Sequence, residues 1–361
     1  MSLSTYNRRS IKERLVKGGS WSVVGKGVSG VAMIGIVAIL ARILSPEDIG
    51  AYFLGLSIVF VSSIVSRLGL DLGVVKLIAE AIAQKQGNRT YSIIIKSIII
   101  TILTSTFIGL LLWFVFGPWL DISLFGSKSL QSVIGLIAIW VIFSALQGLF
   151  SEIFRAFHDI QLAIYFGGTI FGGLISIGAH LIAFLLIWLT HSQITLLSVV
   201  YISIAANLLG LLLAIPHLRN KLGSLDTNFE EPICIRDILS VSLPLWVTNI
   251  SLMALTQVDI WIVGAFRSEK EVAIYGATTR IVKFVLMSQY VVNDVVAPII
   301  AELNSRGIQQ KLENTLRVTA TFSALVALPI IGVLVAFNSQ VMGFVYGTFY
   351  SSGGTMLEDI H

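Results

Sequence analysis

Charge is scarce in this chain. Only 12% of its 361 residues are Asp, Glu, Lys or Arg, about half the share expected of a soluble domain. Cysteine is rarer still: the single Cys234 excludes an intramolecular disulfide and a cysteine-built metal cluster. The alternating pattern of membrane-barrel strands is missing, and the apolar runs are far too long for such strands. No cleavable leader is visible, because a basic first 17 residues run directly into a full-length apolar span. A sizeable aqueous loop is lacking too. The largest connection, 217–235, holds Asp226, Glu230 and Glu231 but no paired Asp-x-Asp, which argues against an enzyme and implies neither a metal nor a cofactor. The basic segment 8–17 suits anionic lipid headgroups and needs no nucleic acid.

What is present is apolar surface. Hydrophobic residues make up 55% of the chain, the mean hydropathy is +0.88, and several runs exceed the ~20 residues needed to cross a bilayer as helix. The pattern predicts an all-α integral membrane protein with about nine transmembrane helices near 19–43, 51–81, 92–116, 130–156, 162–189, 195–216, 236–265, 271–300 and 315–337. Alternate connections beginning with the N-terminus carry Arg8, Arg9, Lys12, Arg14, Lys17, Lys85, Arg89, Arg155, Arg219, Lys221, Arg236, Arg306, Lys311 and Arg317. The opposite side has Arg42, Lys128, Arg267 and Lys270. That bias predicts a cytoplasmic N-terminus.

The chain also repeats itself. An offset of 223 residues carries Ser45-Pro46-Glu47-Asp48-Ile49-Gly50-Ala51-Tyr52 onto Ser268-Glu269-Lys270-Glu271-Val272-Ala273-Ile274-Tyr275, and Asp71 onto Asp294. Offsets one or two shorter align Ala79-Glu80 with Ala301-Glu302 and Leu124-Phe125-Gly126 with Val345-Tyr346-Gly347. Duplication in a membrane protein points to a transporter, and six spans per unit make the copies parallel repeats. The expected organisation is a basic cytoplasmic segment 1–18, a first six-helix bundle 19–222, a linker 223–235 and a second bundle 236–361. That second bundle reads as truncated, with three spans and a tail, and the two would flank a central cleft.

Gly18-Gly19-Ser20-Trp21, Ala41-Arg42-Ile43-Leu44-Ser45-Pro46-Glu47-Asp48-Ile49-Gly50-Ala51-Tyr52 and Gly69-Leu70-Asp71 lie in the first half, and Ser242-Leu243-Pro244 and Asp259-Ile260-Trp261-Ile262-Val263-Gly264 at the start of the second. With these motifs the chain resembles the polysaccharide-biosynthesis flippases of the multidrug/oligosaccharidyl-lipid/polysaccharide exporter superfamily. The resemblance implies two helical lobes around a cavity. It also implies a lipid-linked glycan as substrate, moved from the cytoplasmic to the outer leaflet of the plasma membrane. Membrane lipids and other polysaccharide assembly proteins are the partners it suggests. The alternatives are a cation-coupled multidrug antiporter of the same superfamily and an inactive truncated transporter. Against the antiporter, the first span has no Asp or Glu.

Charges inside the spans supply the candidate site. Burying each costs at least ~2.5 kcal/mol, so they should face a watery cavity, a partner or an interface. Arg67, Arg280, Lys283 and Lys26 are the candidates for an anionic phosphate or pyrophosphate headgroup, which needs charge-assisted hydrogen bonds in place of water. Arg67 and Asp71 are four apart and can pair on one helix face. Asp71, Asp294 and Asp259 are candidates for ion coupling or structural pairing. Asn249, Gln257 and Tyr290 could touch sugar hydroxyls. Under the repeat offset Arg67 falls on Tyr290, so the second and eighth spans present matching polar stripes. Glu152 and Arg155 read as a solvated pair at a helix end.

Overall fold

The computed structural model describes residues 24–25, 27–116, 126–167, 172–191, 194–225, 232–283 and 309–353. Among the described residues the protein is helical, without a strand. In chain order the helices are α1 (Gly27–Ile43), α2 (Pro46–Ser66), α3 (Leu70–Ala83), α4 (Gly87–Leu111), α5 (Lys128–Ala156), α6 (Ile160–Phe166), α7 (Leu174–Leu189), α8 (Leu196–Gly223), α9 (Ile235–Phe266), α10 (269–283), α11 (Gln309–Ala336) and α12 (Asn338–Tyr346). Six of these are long and apolar enough to cross a membrane, while Gly27–Ile43 and Leu174–Leu189 are shorter apolar helices. A count of nine spans is therefore not reached among the described residues. The chain divides into two compact units, Ile39–Ala273 and Met1–Ala38 with Ile274–His361.

In the larger unit α5 is the axis, packing against α2, α3, α4, α6 and α8. Leu149, Ile153 and Phe154 of α5 meet Leu70, Val74 and Ile78 of α3, Ile93 and Ile94 of α4, and Ala214 of α8 in one buried cluster. Small residues let helices close up, as lipid-embedded helices require without a hydrophobic drive between them. A Cβ on Gly109 of α4, for instance, would lie 2.9 Å from the Ala138 carbonyl of α5. Apolar side chains left outside, such as Leu103, Phe107 and Leu186, are exposed as a lipid-facing surface demands.

α9, the first helix after the polar connection, belongs to this same unit and packs on α3 and α2. Its Ile238 is fully buried in the α5 cluster. The end of the connection docks as well: Ile233 is buried, and Lys96 Nζ donates to its carbonyl oxygen. Lys96 thus anchors the chain entering α9.

The two turns related by the 223-residue offset are capped alike. Ser45 Oγ accepts from Asp48 N (3.1 Å), and Ser268 Oγ accepts from Glu271 N (3.4 Å), satisfying a helix's free N–H groups at each start. Glu271 Oε2 in turn accepts from Ser268 N (3.0 Å), closing a capping box. The turns also touch. Lys270 Nζ pairs with Glu47 (3.1 Å), Ser129 Oγ donates to Asp48 (3.0 Å), and Ser127 Oγ donates to Glu269.

In the other unit the last described turns pack on themselves: Met342, Tyr346 and Tyr350 are buried, with the two tyrosine rings 5.9 Å apart.

Candidate functional site

The second predicted span, 51–81, is not one helix. α2 stops at Ser66 and α3 starts at Leu70, with Leu68 (φ 49°) and Gly69 (φ 76°) in the left-handed region between them. Leu68 adopts that region against its own Cβ sterics, so surrounding contacts must hold it. They do so by answering the carbonyls that the break frees. Val65 O accepts from Leu68 N (3.3 Å) and from the indole Nε1 of Trp246 on α9 (3.0 Å). Thr104 Oγ1 sits between the Ser66 carbonyl and that of Ile100 in its own helix. Gly69 permits the close approach of α9, since a Cβ there would lie 2.1 Å from the Ser242 carbonyl.

The fifth predicted span, 162–189, is interrupted too. α6 ends at Phe166, Gly167 is extended, and α7 begins after Gly173. Glycine pairs at 167–168 and 172–173 flank the interruption.

Both interruptions face α5, and a cavity of about 200 Å³ lies among them. Its wall includes Phe60, Ser63, Arg67 and Asp71 from the first interruption, and Gly167 and Gly172 from the second. Ser144, Gln147, Gly148, Ser151 and Glu152 complete it from α5, at the i, i+3, i+4, i+7, i+8 spacing of one helix stripe. Arg67 Nε pairs with Asp71 Oδ1, the two side chains being 12% and 15% exposed. Asn249 Nδ2 of α9 donates to the other oxygen of Asp71 (3.3 Å). The guanidinium lies on Gly148, where a Cβ would come within 1.9 Å of Nη1. Gln147 is 1% exposed and donates from Nε2 to Ser176 Oγ (2.6 Å) and the Asn207 carbonyl (3.4 Å). Because a carbonyl can only accept, the second bond fixes the amide with Oε1 towards Gly172.

Not every residue singled out by sequence joins this site. Arg67, Asp71 and Asn249 do converge, although across a break and not along one helix. Gln257 is committed elsewhere: its Oε1 accepts from Ser57 Oγ (2.8 Å), which accepts from Trp261 Nε1 (2.9 Å). Asp259 is half-buried and accepts from Ile260 N (2.8 Å). In the second unit, Arg280 is buried and donates to the Gly276 carbonyl (2.6 Å), and Lys283 is exposed. Lys26, Tyr290 and Asp294 lie outside the described residues.

Glu152 is the main correction. It does pair with Arg155 (3.1 Å), but its side chain is only 16% exposed and lines the cavity, whereas Arg155 is 52% exposed at the rim. Gln147 escaped the sequence reading, and Glu152 entered it only as half of a solvated pair. The polar stripe Ser144, Gln147, Gly148, Ser151, Glu152 inside an otherwise apolar span was their signal.

With this geometry in view, comparison with known proteins is decisive on family. Residues 15–304 match the family described as polysaccharide biosynthesis protein. The chain belongs to that family. It is also similar to the probable low-salt glycan biosynthesis flippase Agl15 of Haloferax volcanii, at 22% identity over 151 residues. That match spans 39% of this chain and 32% of the relative, so about a third of the relative's length is represented. Among solved structures, the fold resembles an inward-facing multidrug resistance MATE family transporter of the MOP superfamily (TM-score 0.67, 16% identity, 92% of this chain and 76% of that one). The MATE multidrug transporter DinF-BH is equally similar (TM-score 0.67, 16% identity, 91% and 74%). At such identities the likeness establishes the fold alone: this member of the polysaccharide biosynthesis family is a multi-pass membrane protein whose helical fold is similar to that of those two solved structures.

Proposed function

We propose that this protein flips a lipid-linked oligosaccharide or polysaccharide precursor from the cytoplasmic to the outer leaflet of the plasma membrane, with its N-terminus in the cytoplasm. It would act as a transporter and not as an enzyme. The observation that carries the reading is Arg67, held in a cavity wall at an interrupted helix, within a chain of the polysaccharide biosynthesis family. Discontinuous helices at membrane depth line transport sites, because backbone left unwound there is tolerated only in protein or in water. A phosphate crossing hydrocarbon needs substitutes for its water, and a guanidinium supplies charge-assisted donors. In the described state Arg67 is engaged with Asp71. An incoming phosphate would therefore exchange for that carboxylate as the lobes alternate in access. Arg280, Lys283 and Lys26 remain candidates for contacts to the anionic headgroup. Asp71, Asp259 and Asp294 remain candidates for coupling, and Asn249, Gln257 and Tyr290 for sugar contacts.

The carboxylates Asp71 and Glu152 in the same wall favour a second reading, export of an organic cation. Against it stands the ion pair with Arg67, which already engages Asp71.

The test is mass spectrometry of lipid-linked glycans from cells lacking the gene, alongside cells that carry it. Accumulation of a complete, unpolymerised lipid-linked oligosaccharide that the gene clears is the expected result. No accumulation refutes flipping, and organic-cation efflux would then be measured.

A further inference from the structure

By sequence α9 opens the second repeat, but it is fastened to helices of the first. Its buried residues, Ile238, Ser242, Gln257, Ile260 and Gly264, fall on one helical stripe. From Ile238 to Gly264 that stripe runs roughly 39 Å at 1.5 Å per residue, more than the ~30 Å hydrocarbon layer. The fastening follows it from end to end. At one end Ile238 enters the α5 cluster. Ser242 then closes on two glycines: a Cβ on Gly69 would lie 2.1 Å from its carbonyl oxygen, and one on Gly73 2.1 Å from its Oγ. Trp246 Nε1 donates to Val65 O (3.0 Å) and Asn249 Nδ2 to Asp71 (3.3 Å). Towards the other end, Ser57 Oγ of α2 donates to Gln257 (2.8 Å) and accepts from Trp261 Nε1 (2.9 Å). Polar groups parted at membrane depth find no water to replace their partners. A helix held at one end can swing, whereas one held along its whole length travels with what holds it. Beyond α9, the first turn of α10 is tied as well, Lys270 to Glu47 of α2 and Glu269 to Ser127 at the start of α5. The compact unit that contains α9 ends just past that turn, at Ala273, and α1 is the reciprocal case, grouping as far as Ala38 with 274–361.

We propose that α9 is mechanically a helix of the first bundle. Through a transport cycle it moves with α2, α3 and α5 as one body. The chain then passes to the other moving body inside α10, after Ala273, and not at the polar connection before α9. The repeat that the sequence marks out is thus not the unit that moves. Hinges need only a few residues that absorb a change of backbone angle, so a boundary within one helix is sufficient. One consequence is that Asn249 keeps its place beside Asp71 in every state. The proposal rests on the transporter reading for the existence of a cycle, but not on the identity of the cargo.

The test is double electron–electron resonance on the full-length protein in lipid nanodiscs. A Cys234→Ser background is used, because Cys234 is the single native cysteine and is exposed. One nitroxide sits on Leu255→Cys of α9 and the other on Leu103→Cys of α4 or Leu325→Cys of α11, all three leucines being exposed. The expected result is one narrow distance between α9 and α4, beside a broad or two-peaked distribution between α9 and α11. A broad or two-peaked α9–α4 distribution overturns the proposal, whatever the second pair shows. Two narrow distributions overturn it too, since no body then moves against another. No glycan is added, so failure of the lipid-glycan assay leaves this result standing, and failure here leaves flipping standing.

Discussion

Gly148→Ala tests how tightly the cavity wall is set. The new methyl group would lie 1.9 Å from Arg67 Nη1 and 2.8 Å from Cζ, against an ordinary contact of ~3.5 Å. The guanidinium would have to retreat by roughly 1.5 Å on that contact distance. An arginine terminus can move, but this one is held by Asp71 and largely shielded from water. Breaking a buried ion pair outright costs ~3–5 kcal/mol. A retreat that keeps part of the attraction should cost less, and Ala gains ~0.5–1 kcal/mol over Gly inside a helix. The net expectation is a loss of ~1–3 kcal/mol of stability, within the range seen for overpacking, with reduced glycan clearance in cells. The assay is thermal unfolding of the single variant and of the same change in the Arg67→Met background. There the clash is gone, and Gly148→Ala should become neutral or slightly stabilising. A coupling of at least ~1 kcal/mol between the two positions is expected for residues in contact. Equal effects in both backgrounds would refute the packing of Arg67 on Gly148.

Trp246→Phe keeps most of the ring but deletes the donor to Val65 O, and should lower stability by ~1–2 kcal/mol in thermal unfolding. Gly69→Ala combines a left-handed φ with a Cβ 2.1 Å from a backbone carbonyl; folded yield in detergent should collapse, since neither cost can be relaxed by a side chain. Ser45→Ala and Ser268→Ala each remove a helix cap and should each cost ~1 kcal/mol, additively if the turns share only their rim ion pair.

Much of the site's charge chemistry was legible without coordinates. Arg67 and Asp71, four apart, do pair, although the helix on which the sequence places both breaks between them. The break was legible only indirectly. A continuous helix over 51–81 would rise ~46 Å at 1.5 Å per residue, well beyond a ~30 Å hydrocarbon layer, and Gly69 and Gly73 lie inside it. In 162–189 the flanking glycine pairs were the comparable sign. Neither sign locates a cavity.

The sequence by itself determined that the chain is helical and membrane-embedded, because apolar runs of that length have no other way to satisfy their backbone. It also determined which charges stand within helical reach of one another. Tertiary structure alone decided where helices α2 and α3 part and what the gap is for. Leu68 does not favour a left-handed conformation on its own, and the carbonyls freed beside it are answered by Trp246 and Thr104, far away in sequence. The same holds for Glu152: its spacing from Arg155 describes a surface pair, and only the packing of α5 between two interrupted helices turns its carboxylate inward.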